Sequence, residues 1–392
     1  MIKTAARLGE VKEYYFSKKL RQIAEMRAAG HDVLNLGIGS PDLPPRREVI
    51  DTLIEVAVQT DSHGYQGYAG IPELRAAFAE WYKRYYEVDL NPQNEVLPLI
   101  GSKEGILHIS MTYLEAGDEV LVPNPGYPAY RAAADLAGAK VTEYDLTEEK
   151  EWLPDLHKLA ERDLSKVKIM WLNYPNMPTG RNATRDFFAE IIAFGKRHNI
   201  MIVNDNPYSF ILNEQPLSIM SVPGAKGNAL ELNSLSKSHN MADWRVGVLV
   251  GNAETLQNIL RYKSNADSGM FRPVQLAAAR ALQSPPAWYD ELNRIYRARR
   301  EAVFQLLDTL ECSYNRQRVG MFVWAKIPAR YLDGFAMSDE ILEKAQVFIT
   351  PGGIFGSNGN QYVRVSLCSP EEVFAAAIER CKKLTEVTLT HE

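Results

Sequence analysis

The chain has 392 residues, 46% of them hydrophobic, with 44 basic side chains against 49 acidic ones. That length favours two domains over a single core, and the near balance of charge excludes both the basic footprint of a nucleic-acid binder and an acidic tail. No apolar run reaches membrane-spanning length and the opening MIKTAARLGEVKEYYF lacks a basic-then-apolar order, so neither a membrane partner nor a secretion signal is expected, and the expected location is cytoplasmic.

In chain order, the segment up to about Asp42 is too short for a core of its own and is expected to pack on a smaller second domain. Within it Tyr14, Tyr15 and Phe16 are candidates for an apolar entrance, with packing as the competing role. From about residue 95 to 251 strand-length apolar runs recur: EVLPLI, DEVLVPNP, KVKIMWLNYP, NIMIVNDNPY, NALELNSLSK and RVGVLVG. Between them lie helical patterns such as SKEGILHISMTYLEAG and ATRDFFAEIIAFGKRH. This alternation predicts an α/β fold with a mostly parallel sheet covered on both faces. From about residue 290 a charged helix, three further strand-like runs (GMFVWAKIP, AQVFITPG, QYVRVSLC) and a closing helix predict a smaller α+β domain. The boundaries drawn are 43–285 for the large domain, with 1–42 and 286–392 for the small one.

Ligands of open α/β sheets bind outside the carboxyl ends of the strands, and here those ends are polar: Gly101-Ser102-Lys103, Gly126-Tyr127, Tyr174-Pro175-Asn176, Asp205 to Tyr208, and Ser234 to Lys237. Lys237, at a strand end among small hydroxyl residues, is placed to lose its charge by desolvation and act as a nucleophilic amine toward a carbonyl. Asp205 ends the neighbouring apolar strand, where an unpaired charge is costly, and a protonated pyridine nitrogen would pair it. Arg245, Ser234 and Ser236 suit a phosphate, which the helix opening at Gly101-Ser102-Lys103 would also bind. Tyr127 is placed to lay its ring on a flat cofactor, and Tyr208 to donate to a phenolic oxygen. Cys312, Cys368 and Cys381 have no metal or redox spacing and read as reduced fillers. The seven histidines show no paired signature, so no metal is expected.

The set resembles the fold-type I, class I/II aminotransferases, which use pyridoxal 5'-phosphate, over nearly the whole chain. SLSKSHNMADWRVG resembles their Ser-x-Ser-Lys…Arg-x-Gly signature, DNPY their Asp-x-x-Tyr, and PGYPAY their ring-stacking tyrosine. The resemblance implies a mostly parallel seven-stranded sheet in the large domain. It also implies Lys237 as the Schiff-base lysine, Asp205 on the pyridine nitrogen, and Tyr208 on the phenolic oxygen. YQGYAGIPELRAAFAEWY implies that Tyr65 reaches the phosphate of a second copy in a homodimer. LNLGIGSPD and YVRVSL imply Gly39 and Arg364 on the substrate carboxylate. A dinucleotide reading of Gly37 and Gly39 fails, because Asp42 stands where the third glycine belongs.

The expected activity is transfer of the amino group of an L-amino acid to a 2-oxo acid such as 2-oxoglutarate. The alternatives are a carbon–sulfur β-lyase on the same scaffold and a non-catalytic cofactor-sensing module. The nearest branch takes diaminopimelate or neutral amino acids, although the glutamate expected of diaminopimelate enzymes aligns with Tyr68. One departure stands out: the family's Asn-Pro-Thr-Gly reads YPNMPTG here, with Met177 at the asparagine's position. Either Asn176 substitutes by a small backbone shift, or one donor to the phenolic oxygen is lost and the lysine–cofactor linkage deprotonates at a higher pH.

Overall fold

The computed structural model describes residues 2–9 and 15–389; Tyr14 therefore lies outside the described residues. The apolar runs form a seven-stranded sheet in the order β2-β8-β7-β6-β5-β3-β4. Its strands are β2 (Val96–Leu99), β3 (Glu119–Asn124), β4 (Lys140–Asp145), β5 (Val167–Leu172), β6 (Met201–Asp205), β7 (Ala229–Ser234) and β8 (Gly247–Val250). Only β8 runs against its neighbours, pairing antiparallel with both β2 and β7. Side chains alternate between two cores: in β5, Ile169 and Trp171 join the cluster on one face, while Met170 and Leu172 join that on the other. Burial on both faces is why β2 and β8 read as continuous apolar runs. β4 was not foreseen, because it is the sheet's edge and most of its side chains are exposed or half-exposed.

A second, antiparallel sheet has the order β12-β13-β10-β9, with β9 Ser313–Tyr314, β10 Phe322–Lys326, β12 Thr350–Pro351 and β13 Tyr362–Ser366. Near the N-terminus, β1 (Leu34–Asn35) pairs in parallel with β11 (Val347–Phe348); the ladder continues as Leu36 N–H donates to the Phe348 carbonyl, and the Leu36 carbonyl accepts from Ser366 N–H of β13. The loop that follows is pinned at its far end by Asp42, whose two oxygens accept from Arg299 Nη1 and Nη2 at 2.7 and 2.8 Å. Arg299 belongs to the long helix Pro286–Thr309, is buried, and also donates to the Leu367 carbonyl. All three cysteines are buried and unbridged. Burial pushes the Cys312 and Cys381 thiols up to about 12, which keeps them unreactive. Among the described residues no helix is long and apolar enough to cross a membrane.

Because the Arg299–Asp42 fork is bidentate and Asp42 keeps partial solvent contact, Arg299→Leu should destabilise the fold by about 2 kcal/mol, less than for a fully buried pair. Urea denaturation should show a lowered midpoint at unchanged slope, with Arg299→Lys recovering only part of the loss, since an ammonium cannot make the fork.

Candidate active site

Parallel pairing sends the carboxyl ends of β2, β3, β5, β6 and β7 to one rim. The reversal of β8 brings its amino end to that same rim, with Gly247 opposite both Ser234 and Leu99. Segments 38–40 and 16–20 and strands β10 and β13 close the space from the other side, leaving a cavity of about 620 Å3, within the range of small-molecule sites.

One end of the cavity is built for an anion. The helix Ser102–Tyr113 opens there with Ser102 and Lys103 on the wall, opposite Ser234, Ser236 and Arg245. Ser234 Oγ accepts from Ser236 N–H at 3.0 Å and donates to Ser236 Oγ at 2.8 Å, so the two hydroxyls are held as a pair. Arg245 has φ +55° and donates to the Ala242 carbonyl at 2.8 Å, which folds its guanidinium back over the helix start. Gly101 underlies it: at φ +80° any side chain would be strained, and its Cβ, 1.9 Å from Arg245 Nη2, would push the guanidinium aside. Gly101 therefore shapes the cradle from behind rather than lining it.

In the middle of the cavity two buried groups of opposite type face the same space. Asp205, at the end of β6, has one oxygen satisfied by Tyr130 Oη at 3.0 Å, while its Oδ1 is buried with no partner. Burial, with a smaller contribution from Glu231 and against the Tyr130 hydrogen bond, pushes its carboxyl up to about 7. Glu231, on neighbouring β7, is equally buried, but Tyr82 Oη, Ser218 Oγ, Ile219 N–H and Asn204 Nδ2 satisfy it at 2.7–3.1 Å. The contrast singles out Asp205, not Glu231, as the carboxylate left with an open oxygen, one that could meet a cationic group. Burial lowers the Lys237 pKa, aided by Arg364 and Arg245, and its Nζ donates to the Gly39 carbonyl. Tyr127 and Tyr208 line the same region.

At the other end Arg364, from the middle of β13, is buried under aromatic rings, its guanidinium carbon 3.9 Å from the Phe322 ring centre and 4.7 Å from that of Phe355. Its Nη2 donates to the Gly37 carbonyl at 2.8 Å and its Nη1 to Met177 Sδ at 3.2 Å. Gly39 passes so close to Phe322 that a Cβ would lie 2.3 Å from its ring.

The cavity thus brings together Gly39, Ser102, Lys103, Tyr127, Asp205, Tyr208, Ser234, Ser236, Lys237, Arg245 and Arg364. Asn176 is not among them. Its side-chain oxygen accepts from Thr179 N–H and Oγ1 at 3.3 and 2.6 Å, and its amide donates to the Asn173 carbonyl, so the loop consumes it. The backbone shift that would let Asn176 stand in for Met177 is absent. Tyr65 is 95% exposed and does not line the cavity of its own chain. Sequence reasoning missed Tyr130 and Asn173. Tyr130 stacks on Trp171 at 4.9 Å, and Asn173 Nδ2 donates to the Asp205 carbonyl at 2.6 Å while its Oδ1 accepts from Met177 N–H. Asn173 was visible as an amide at a strand end already under scrutiny, whereas Tyr130 lies within the helix Pro128–Ala137 and reads as core.

A sequence model of the family described as aminotransferase class I and II matches residues 31–380. The chain belongs to that family. As an aminotransferase it moves the amino group of an L-amino acid to a 2-oxo acid such as 2-oxoglutarate. It is 39% identical over 381 residues to the LL-diaminopimelate aminotransferase of Dehalococcoides mccartyi, covering 97% of this chain and 98% of that one. Among solved structures it is similar to substrate-bound BacF from Bacillus subtilis, with TM-score 0.94, 36% identity and 98% of each chain covered. It is also similar to an aminotransferase from Staphylococcus aureus, with TM-score 0.89, 30% identity and coverage of 98% of this chain and 99% of that one.

Outside the cavity of the aminotransferase, Glu104, His108 and Asp267 bring ligand-type atoms within 4.8 Å of one another. Lys263 Nζ already donates to both Asp267 oxygens at 2.8 and 2.7 Å, so a cation is built into that cluster.

The folded pKa of Asp205 lies above its ordinary value, so the stability tied to its protonated form is full below about pH 4 and is lost as pH rises through about 7. In the ligand-free aminotransferase, Asp205→Asn should therefore raise the melting temperature at pH 8 by a few degrees, with the gain shrinking toward pH 5. Turnover should fall at the same time, and scanning calorimetry across pH beside an activity assay checks both signs.

Proposed function

We propose that pyridoxal 5'-phosphate lies along this cavity, phosphate toward Ser102, Ser234, Ser236 and Arg245, ring nitrogen toward Asp205, and aldehyde toward Lys237. The observation that carries the reading is the buried, unpartnered Oδ1 of Asp205 in the same cavity as a lysine whose charge burial disfavours. The donor set fits the group at every end: an anion cradle, a carboxylate lacking a cation, and an amine. Tyr127 would supply a stacking face and Tyr208 a donor to the phenolic oxygen. Tyr65, with nothing covering it in its own chain, would reach the phosphate of a second copy in a homodimer.

Bound there, the cofactor supplies an electron sink for the carbon that loses its proton. Arg364 and Gly39 would hold the substrate carboxylate, the arginine by its fork, so that the Cα–H bond points at Lys237. Lys237 Nζ, whose charged form burial disfavours, would take that proton and return it. Asp205 would hold the ring-nitrogen proton, while Tyr130 and Asn173 hold Asp205. We also place residues 1–42 with 286–392 as the small domain, on the strength of the β1–β11 pairing and the Arg299–Asp42 fork. The unbridged cysteines suit a reducing cytoplasm. The name of the curated relatives makes LL-diaminopimelate the alternative donor to a neutral amino acid.

Lys237→Ala should abolish turnover while leaving the cofactor bound without a covalent link, read by its absorbance and by its removal on gel filtration in phosphate. A variant that transaminates near the wild-type rate rejects the assignment. Met177 rests on Arg364 and offers no donor to a phenolic oxygen. Met177→Asn should therefore lower the pH midpoint of the cofactor's absorbance change by about one unit, a shift visible in a simple titration.

A further inference from the structure

Lys237 stands on a helix of four residues, Leu235–Ser238, closed by His239 N–H donating to the Leu235 carbonyl at 3.2 Å. A turn that short has too few internal bonds to hold its own shape, so its position is set by what grips its two ends. The front end is held by the Ser234 hydroxyl, which accepts from Ser236 N–H, and by Leu235 N–H, which donates to the Val246 carbonyl at 3.1 Å. The back end is gripped by two residues to which no role has yet been given. Trp288 Nε1 donates to the Ser238 carbonyl at 2.9 Å, one of the carbonyls that a helix leaves open in its last turn. The buried ring of His239 has Nδ1 2.8 Å from Ser238 Oγ and Nε2 3.1 Å from Tyr289 Oη. Tyr289 Oη in turn accepts from Trp81 Nε1 at 2.9 Å. Burial, aided by Arg46 and opposed by a hydrogen bond to the Ala281 backbone, pushes the His239 pKa down to about 3. The ring is therefore neutral near pH 7 and acts through hydrogen bonds and shape, not charge.

Trp288 and Tyr289 are neighbours in the first turn of the helix Pro286–Thr309. About three turns further along, the same helix carries Arg299, whose fork onto Asp42 fixes the loop that presents the Gly39 carbonyl to Lys237 Nζ. One rigid element thus grips both the turn beneath the lysine and the loop that its amine reaches. We infer, resting on the reading above in which Lys237 is the nucleophile, that Trp288 and His239 are positioning residues: they clamp the far end of the lysine's turn to the helix Pro286–Thr309 and so keep the amine aimed and dry. Neither lines the cavity, so both act through Lys237 and not on the substrate. A displacement of about 1 Å at a reacting group can cost roughly 100-fold in rate, which is how a clamp outside the cavity governs turnover.

Trp288→Phe keeps an aromatic ring and removes the donor, and His239→Ala removes the second contact. In cofactor-free protein, the pH midpoint for acetylation of Lys237 by acetic anhydride, followed by mass spectrometry, should rise by about one unit in both variants, because a loosened turn admits water and relieves the desolvation of the charged amine. The other titratable or charged groups that bear on Lys237 are Arg364, Arg245 and Cys368, and the variants leave all three in place. In the holoenzyme, the limiting rate of the half-reaction with L-glutamate should fall at least about tenfold while the half-saturating concentration stays within about twofold. His239→Asn should recover most of the loss, since its amide can stand where Nδ1 stands beside Ser238 Oγ. If the variants lower only the melting temperature and leave both the midpoint and the limiting rate at wild-type values, the inference is overturned and the assignment of Lys237 stands. If Lys237→Ala transaminates near the wild-type rate, the assignment is overturned, and the inference with it.

Discussion

A carboxylate placed at the end of a buried parallel strand loses its water, and in this protein the fold replaces only part of what was lost. Tyr130 satisfies one oxygen of Asp205 and Asn173 secures its backbone, yet Oδ1 is left with a desolvation cost of roughly 1–3 kcal/mol. Glu231, one strand away, shows that the same sheet can satisfy a buried acid fully when no ligand is to be met. The open oxygen therefore sets the orientation of the rest: the amine at Lys237, the hydroxyl pair and the arginine at the anion end all lie on the rim that Asp205 faces.

That rim depends on one antiparallel strand. Had β8 run with its neighbours, the chain leaving Lys237 would have had to cross the sheet before returning, and Arg245 would have emerged at the opposite edge. Reversal lets a short loop carry the chain from the lysine to the arginine, and the Gly247 pairing with both Ser234 and Leu99 locks the two sides of the anion cradle into one register. The left-handed backbone at Arg245 and the bare Gly101 beneath its guanidinium are local consequences of that closeness.

Much of this was legible in the sequence, because the central strands are covered on both faces and are largely apolar, which leaves their polar ends conspicuous. The fold class followed from the alternation of those runs with helical patterns. What escaped notice has physical causes. β4 lies at the sheet edge and carries Lys140, Thr142 and Glu143, so its apolar signal is diluted. Tyr130 sits inside a helix pattern and looks like core; only the fold turns its hydroxyl onto Asp205. Asn176 looked like a ligand by its neighbourhood in YPNMPTG, but a tight loop turns its amide onto Thr179 and Asn173, and only a backbone trace reveals that. The role proposed for Tyr65 would need a second chain, which no pattern within one sequence displays.

Arg364 illustrates a different economy. A surface arginine keeps about 2 kcal/mol of rotamer freedom that it must surrender on gripping a ligand. Here Phe322, Phe355 and Phe16 enclose the guanidinium, and the Gly37 carbonyl and Met177 sulfur fix its roll. The entropy is therefore surrendered during folding, and a carboxylate bound as proposed would meet a fork that is already still. Buried beneath aromatic faces, that charge is also poorly screened by dissolved ions. The grip on a substrate's carboxylate should accordingly be much less sensitive to ionic strength than a contact made by an exposed arginine.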